Sequence, residues 1–129
     1  MTTALARKVL IADDDARNRK LLEVLLRAEG YEVRCVKSGV TALAAIASEV
    51  PDILLLDLMM PDMDGFEVVR RLKADPATAR MSIVMVTALD DDASRARLAA
   101  AGVADVLTKP VDRWQLKASL EGLADRKKL

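Results

Sequence analysis

The sequence predicts a doubly wound α/β fold, a parallel sheet of five strands with helices on both faces. Three observations carry this expectation. Short apolar runs alternate with helical patterns five times along 129 residues. The central run, Ile53-Leu-Leu-Leu56, is apolar at every position, which is the pattern of a strand buried on both faces. Two of the helical patterns stop at glycine, Gly30 and Gly102, the residue best suited to a left-handed helix stop.

The elements follow in order. Val9–Ala12 reads as a short apolar strand, and residues 16–29 as a helix with Leu21, Leu22, Leu25 and Leu26 at helical spacing. Tyr31–Val36 is rich in β-favouring residues and is expected to be an edge strand. Gly39–Ser48 is alanine-rich and helical, and Asp52–Leu56 is the third strand. Gly65–Ala74 is a helix halted before Asp75-Pro76, and Ser82–Thr87 is the fourth strand. Asp92–Ala101 is a helix whose acidic start complements the helix dipole. Ala104–Leu107 is the fifth strand, and Asp112–Ala124 is a helix burying Leu116, Leu120 and Leu123. Strict alternation implies right-handed crossovers and a flavodoxin-like strand order 2-1-3-4-5. The domain is expected over residues 7–124, after an N-terminal extension at 1–6 and before a charged tail or linker stump at 125–129.

Composition narrows the chemistry. Twenty basic residues balance twenty acidic ones, which speaks against a general nucleic-acid binder. No run approaches the roughly 18 apolar residues of a membrane span, and the first residues lack the apolar core of a signal peptide. A soluble, cytoplasmic protein is expected. The single cysteine, Cys35, has no partner for an internal disulfide and reads as a buried, inert thiol. There is no histidine, which removes the commonest general base, the commonest zinc ligand and every histidine-containing triad.

In this fold, ligands bind beyond the carboxyl ends of the strands. Strand one delivers Asp13, Asp14 and Asp15 to that rim, strand three Asp57, strand four Thr87-Ala88, and strand five Thr108-Lys109-Pro110. Converging carboxylates repel one another, and a hard divalent cation relieves that repulsion. Mg²⁺ takes few protein carboxylates and accepts phosphate oxygens. One carboxylate is then free to attack a phosphoryl group, with Lys109 and Thr87 meeting its oxygens and Ala88 leaving access. Single residues have blander readings. Asp15 suits a helix cap, Asp62 and Asp64 a turn beside Gly65, and Asp90, Asp91 and Asp92 a helix start. The signal lies in the set.

Asp13-Asp14, Asp57 with Met60-Pro61 and Met63-Asp64-Gly65, Thr87-Ala88 and Lys109-Pro110 together resemble the receiver domain of two-component response regulators, over about residues 7–124. The resemblance implies that Asp57 accepts a phosphoryl group from a histidine kinase or histidine phosphotransfer protein. It implies Mg²⁺ (or Mn²⁺) on Asp14, Asp57 and the Met59 backbone carbonyl, with Asp13 acting through water. It also implies that Thr87 and Lys109 contact the phosphoryl oxygens and that the Lys109-Pro110 peptide is cis. Lacking histidine, the chain has no phosphohistidine donor of its own.

Val106 departs from the pattern, because receivers commonly carry an aromatic ring three residues before the lysine. Either this valine simply packs in its strand, or the switch is reported through the loop after Thr87 and the fourth helix. Met59 and Leu89 are apolar and flank the path of attacking water, so a long-lived phosphoryl-aspartate is expected. Trp114 points about 160° from Leu116 on the last helix, and is expected on a self-association face made by helix four, strand five and helix five. Three other functions remain open at this point. A haloacid-dehalogenase-type phosphatase would place its nucleophile after strand one and a second aspartate two residues later. A flavin module would need a phosphate loop where Asp13-Asp14-Asp15 stand. A phosphorylation-independent scaffold would retain the fold alone. The chain has no room for an effector domain, so it is expected to be a stand-alone regulator or the receiver part of a longer protein.

Overall fold

The computed structural model describes residues 7–89 and 91–127, with side chains described to residue 123. Five strands, β1 (Lys8–Ala12), β2 (Glu32–Val36), β3 (Ile53–Asp57), β4 (Ser82–Thr87) and β5 (Asp105–Thr108), form one parallel sheet in the order β2-β1-β3-β4-β5. The helices between and after them are α1 (Ala16–Ala28), α2 (Gly39–Ser48), α3 (Gly65–Ala74), α4 (Asp92–Ala100) and α5 (Arg113–Lys127). Fold class and strand order are as the sequence predicts. The extension expected at 1–6 lies outside the described residues. Of the tail expected at 125–129, the backbone of 125–127 continues α5 and the remainder lies outside them.

The period-2 alternation of strand side chains divides the core in two. Leu10, Leu54, Leu56, Ile83 and Met85 pack with Ala42, Ile46, Val68, Leu72 and Leu98 on the α2-α3-α4 side. Val9, Ile11, Ile53, Leu55, Val84 and Val86 pack with Leu22, Leu26, Leu116, Leu120 and Leu123 on the α1-α5 side. All five residues of β3 are buried, and each buried leucine contributes roughly 1.5–3 kcal/mol relative to exposure. That rigid central strand carries Asp57 at its last position.

Local chemistry fixes the helix starts. Asp15, Asp64 and Asp91 accept hydrogen bonds from Arg17 N, Glu67 N and Ser94 N respectively, capping α1, α3 and α4 as the cap and turn readings expect. Ser38 and Thr41 form a capping box on α2. Asp62 does more than turn the chain: its carboxylate accepts from Gly39 N and Val40 N, tying the loop after β3 to the start of α2. Asp90 lies outside the described residues. Gly30 and Gly102 have φ of 90° and 92°, the left-handed stops that the helix ends require.

Cys35 corrects the sequence reading. It is exposed although it pairs with Ile11 and shares a face with buried Val33, because at the outer edge of the sheet that face is only partly covered. Partial desolvation still pushes its thiol above the ordinary value, so exposure does not make it a reactive thiolate. Among the described residues, no helix is long and apolar enough to cross a membrane.

Candidate functional site at the carboxyl ends of the strands

Parallel pairing brings the predicted rim together. Ala12 pairs with Leu56, so Asp13 and Asp57 stand side by side one step beyond. Asp57 pairs with Val86, which puts Thr87 one residue further out on β4. Carboxylate oxygens of Asp13, Asp14 and Asp57 lie within 4.8 Å of one another. Asp13 and Asp57 are buried, at 1% and 5% exposure, and Asp14 faces solvent.

Lys109 closes the site from the loop after β5. Its Nζ lies 3.1 Å from Asp13 Oδ2 and 3.4 Å from Asp57 Oδ2. Its backbone N–H donates to Thr87 O at 2.8 Å, joining the β5 loop to the end of β4. The Lys109-Pro110 peptide is cis, as the resemblance implies. Burial pushes the Lys109 ammonium toward a lower pKa, but its hydrogen bond to Asp13 and the charges of Asp57 and Asp13 outweigh that and raise it. For Asp57 the balance runs the other way. Burial and the neighbouring Asp13 charge raise its pKa to about 6, against Lys109 and the Met59 N–H. That N–H donates to Asp57 Oδ1 at 3.3 Å, while the Met59 side chain stands exposed.

The three acidic side chains offer hard oxygen donors around partly uncompensated charge, a donor set that suits Mg²⁺ or Mn²⁺ rather than zinc. Buried Thr87 accepts at its hydroxyl from Leu89 N at 3.1 Å, which leaves the hydroxyl hydrogen to donate. Ala88 is exposed beside it.

Val106 is half-buried and packs against the α2-α3-α4 core. Trp114 is 65% exposed, and its ring carries Arg113 and Lys117 at 5.2 and 5.8 Å. Two features of the site escape a reading by motif. Asn18 Nδ2 donates to Asp13 Oδ2 at 2.5 Å, and Arg19 Nη1 donates to Asp13 O at 2.7 Å. The available signal is positional: with Asp15 as cap, residue 18 is the third residue of α1 and lies beside the strand end. Gly65 supports Asp57 from below. A Cβ there would meet Met85 Cε at 2.8 Å, Leu58 Cα at 2.9 Å and Asp57 O at 3.0 Å.

Comparison with known proteins gives one consistent result. The sequence model of the response regulator receiver domain matches residues 9–121. The response regulator PleD of Caulobacter vibrioides is 46% identical over 119 residues, 92% of this chain and 26% of that protein. Chemotaxis response regulator CheY4 of Vibrio cholerae superposes with a TM-score of 0.87 at 28% identity, covering 92% of this chain and 99% of that one. The receiver domain of sensor histidine kinase PA1611 from Pseudomonas aeruginosa PAO1, solved with a magnesium ion coordinated in its active site cleft, superposes with a TM-score of 0.84. Its identity is 28%, over 92% of this chain and 98% of that one. The chain spans about a quarter to a half of the length of the curated relatives it matches.

Proposed function

The chain belongs to the response regulator receiver domain family of two-component signalling, and from that premise we propose that Asp57 is its phosphoryl acceptor. The observation that carries this is Lys109 bridging Asp13 and Asp57 beside a third carboxylate. A carboxylate oxygen of Asp57 attacks phosphorus in a phosphohistidine of a kinase or phosphotransfer protein, or in a small acyl phosphate. The P–N or P–O bond breaks, and the imidazole or carboxylate leaves with the bonding pair. The new P–O bond makes an acyl phosphate on Asp57.

Mg²⁺ or Mn²⁺, held by Asp14, Asp57 and the Met59 backbone carbonyl with Asp13 acting through water, would supply charge neutralisation on the phosphoryl oxygens. Lys109 pairs with one of those oxygens, and the Thr87 hydroxyl donates to another. Burial of Asp57 keeps bulk water from the acyl phosphate, and the exposed side chains of Met59 and Leu89 stand at the mouth. Regulated phosphoryl occupancy, rather than turnover of a separate substrate, is the activity proposed, in a cytoplasmic setting and within a domain spanning 7–124. The haloacid-dehalogenase alternative requires an acid two residues after the nucleophile, where this chain has Met59.

For the output we propose self-association through α4, β5 and α5. There Trp114 is exposed, and a cleft is lined by Arg95, Asp105, Val106, Thr108 and Ser119. Val106 has no ring to turn, so the report runs through Thr87 and the loop that leads to α4.

The test is incubation with acetyl phosphate and Mg²⁺ followed by intact-mass analysis. Wild type is expected to gain one phosphoryl group and Asp57→Asn none. Labelling of the Asp57→Asn variant, or continuous phosphate release without a labelled protein, would reject the assignment.

A further inference from the structure

Asp13 Oδ2 has two donors. Asn18 Nδ2 lies 2.5 Å from it and Lys109 Nζ 3.1 Å, and Lys109 is also 3.4 Å from Asp57 Oδ2. The other oxygen, Oδ1, is satisfied separately by Asp15 N–H at 2.8 Å. Asp13 is buried, so beyond the one metal-bound water assigned to it, bulk water is a poor substitute for either side-chain donor. The metal and phosphoryl assignments above use Lys109 and leave Asn18 without a role.

We propose that Asn18 is a positioning residue that frees Lys109 from Asp13 for the phosphoryl group. The proposal rests on the reading of Asp57 as acceptor and deepens it. When Lys109 moves onto a phosphoryl oxygen, Asp13 Oδ2 loses one donor. A buried carboxylate oxygen left without any carries its desolvation penalty in full, and that penalty would hold the lysine back. The Asn18 amide keeps the oxygen bonded through the exchange. It is neutral, so it donates to Asp13 without adding a second cation to compete with the metal or hold the phosphoryl group. Arg19 fixes the Asp13 carbonyl, so the carboxylate does not follow the departing lysine. Only hydrogen-bond partners change in this step. The covalent change is the phosphoryl transfer balanced above.

The test is a double-mutant cycle on the rate of phosphorylation by acetyl phosphate at saturating Mg²⁺, with Mg²⁺ affinity measured separately by calorimetry. Asn18→Ala is expected to slow phosphorylation roughly tenfold, the factor set by one buried hydrogen bond. Any loss of Mg²⁺ affinity transmitted through Asp13 is read by the calorimetry and kept out of the rate by saturating Mg²⁺. In a Lys109→Ala background the same substitution should have little effect, since no lysine waits to be released. An unchanged rate in Asn18→Ala, or an equal loss in both backgrounds, would overturn the proposal. If the alanine variant fails to fold, the isosteric Asn18→Asp carries the test. Its acceptor should hold Lys109 more firmly and slow the reaction further, and a wild-type rate would again overturn the idea. Failure of wild type itself to label at Asp57 would instead reject the underlying acceptor assignment.

Discussion

The acidic rim and the α4-β5-α5 face lie a few residues apart along β4 and β5, yet they are built in opposite ways. At the rim, polar groups are buried and held from several sides: Asp13 by Asn18, Asp15 N–H and Lys109, and Asp57 by Lys109 and Met59 N–H. On the other face, α4 buries one residue, Leu98, and polar pairs such as Arg95–Thr108 and Ser119–Asp105 sit in a partly open cleft. The rim is preorganised, which suits chemistry that must proceed without rearranging the protein. The lightly held helix is the element whose packing a small free energy can alter, which suits a readout.

The largest expected break in that contrast is Lys109→Met. It removes the cation between two buried carboxylates, and chemical denaturation without metal should show a loss of about 3 kcal/mol. Millimolar Mg²⁺ should restore much of that loss by binding the folded state. No recovery on adding Mg²⁺ would contradict the metal assignment.

Next in size is Gly65→Ala. The added methyl has no room against Asp57 O and Leu58 Cα, so a loss of about 2 kcal/mol is expected together with slower labelling of Asp57. Wild-type stability and rate would show that α3 does not brace the acceptor.

The pH profile sharpens the comparison further. The folded state holds the Asp57 proton up to about pH 6, whereas the unfolded chain releases it near 3.8. Without metal, the Asp57 contribution to stability should therefore fall as pH rises between those values, by about 1–2 kcal/mol after allowance for the coupled Lys109 charge. Above about pH 6 the loss is complete. Urea midpoints measured in chelator across this range should fall for wild type relative to Asp57→Asn, a difference in which carboxylates with lowered pKa such as Glu67 cancel. Parallel profiles would sink the assignment.

The smallest effect belongs to Trp114→Ala on the other face. An exposed ring leaves stability within about 0.5 kcal/mol of wild type, and labelling of Asp57 should be unchanged. Sedimentation in beryllofluoride and Mg²⁺ is where the difference should appear, as weakened self-association. A wild type that stays monomeric under those conditions would remove this face from the proposal.

The fold was legible because burial on both faces leaves a continuous apolar signature in β3 and because Gly30 and Gly102 mark helix stops. Boundaries moved by a residue or a few: Asp57 belongs to β3 itself, and α5 runs past Ala124. The Asp13, Asp57 and Lys109 cluster was legible because topology alone sends every strand's carboxyl end to one rim. Asn18 and the close approach at Gly65 were not, since each depends on distances between elements that no periodicity encodes. Cys35 was misjudged because strand propensity does not say how far a covering helix reaches over an edge strand: Val33 on the same face is buried and Cys35 is not.

The main-chain bond from Lys109 N–H to Thr87 O acts as a tie rod between two neighbouring strand ends. A pull on Thr87 therefore travels down the backbone into the loop that opens α5, whatever side chain occupies position 106. If Thr87 answers the phosphoryl group as proposed, a chain without a swinging ring still has a stiff mechanical coupling from its acceptor to the far face.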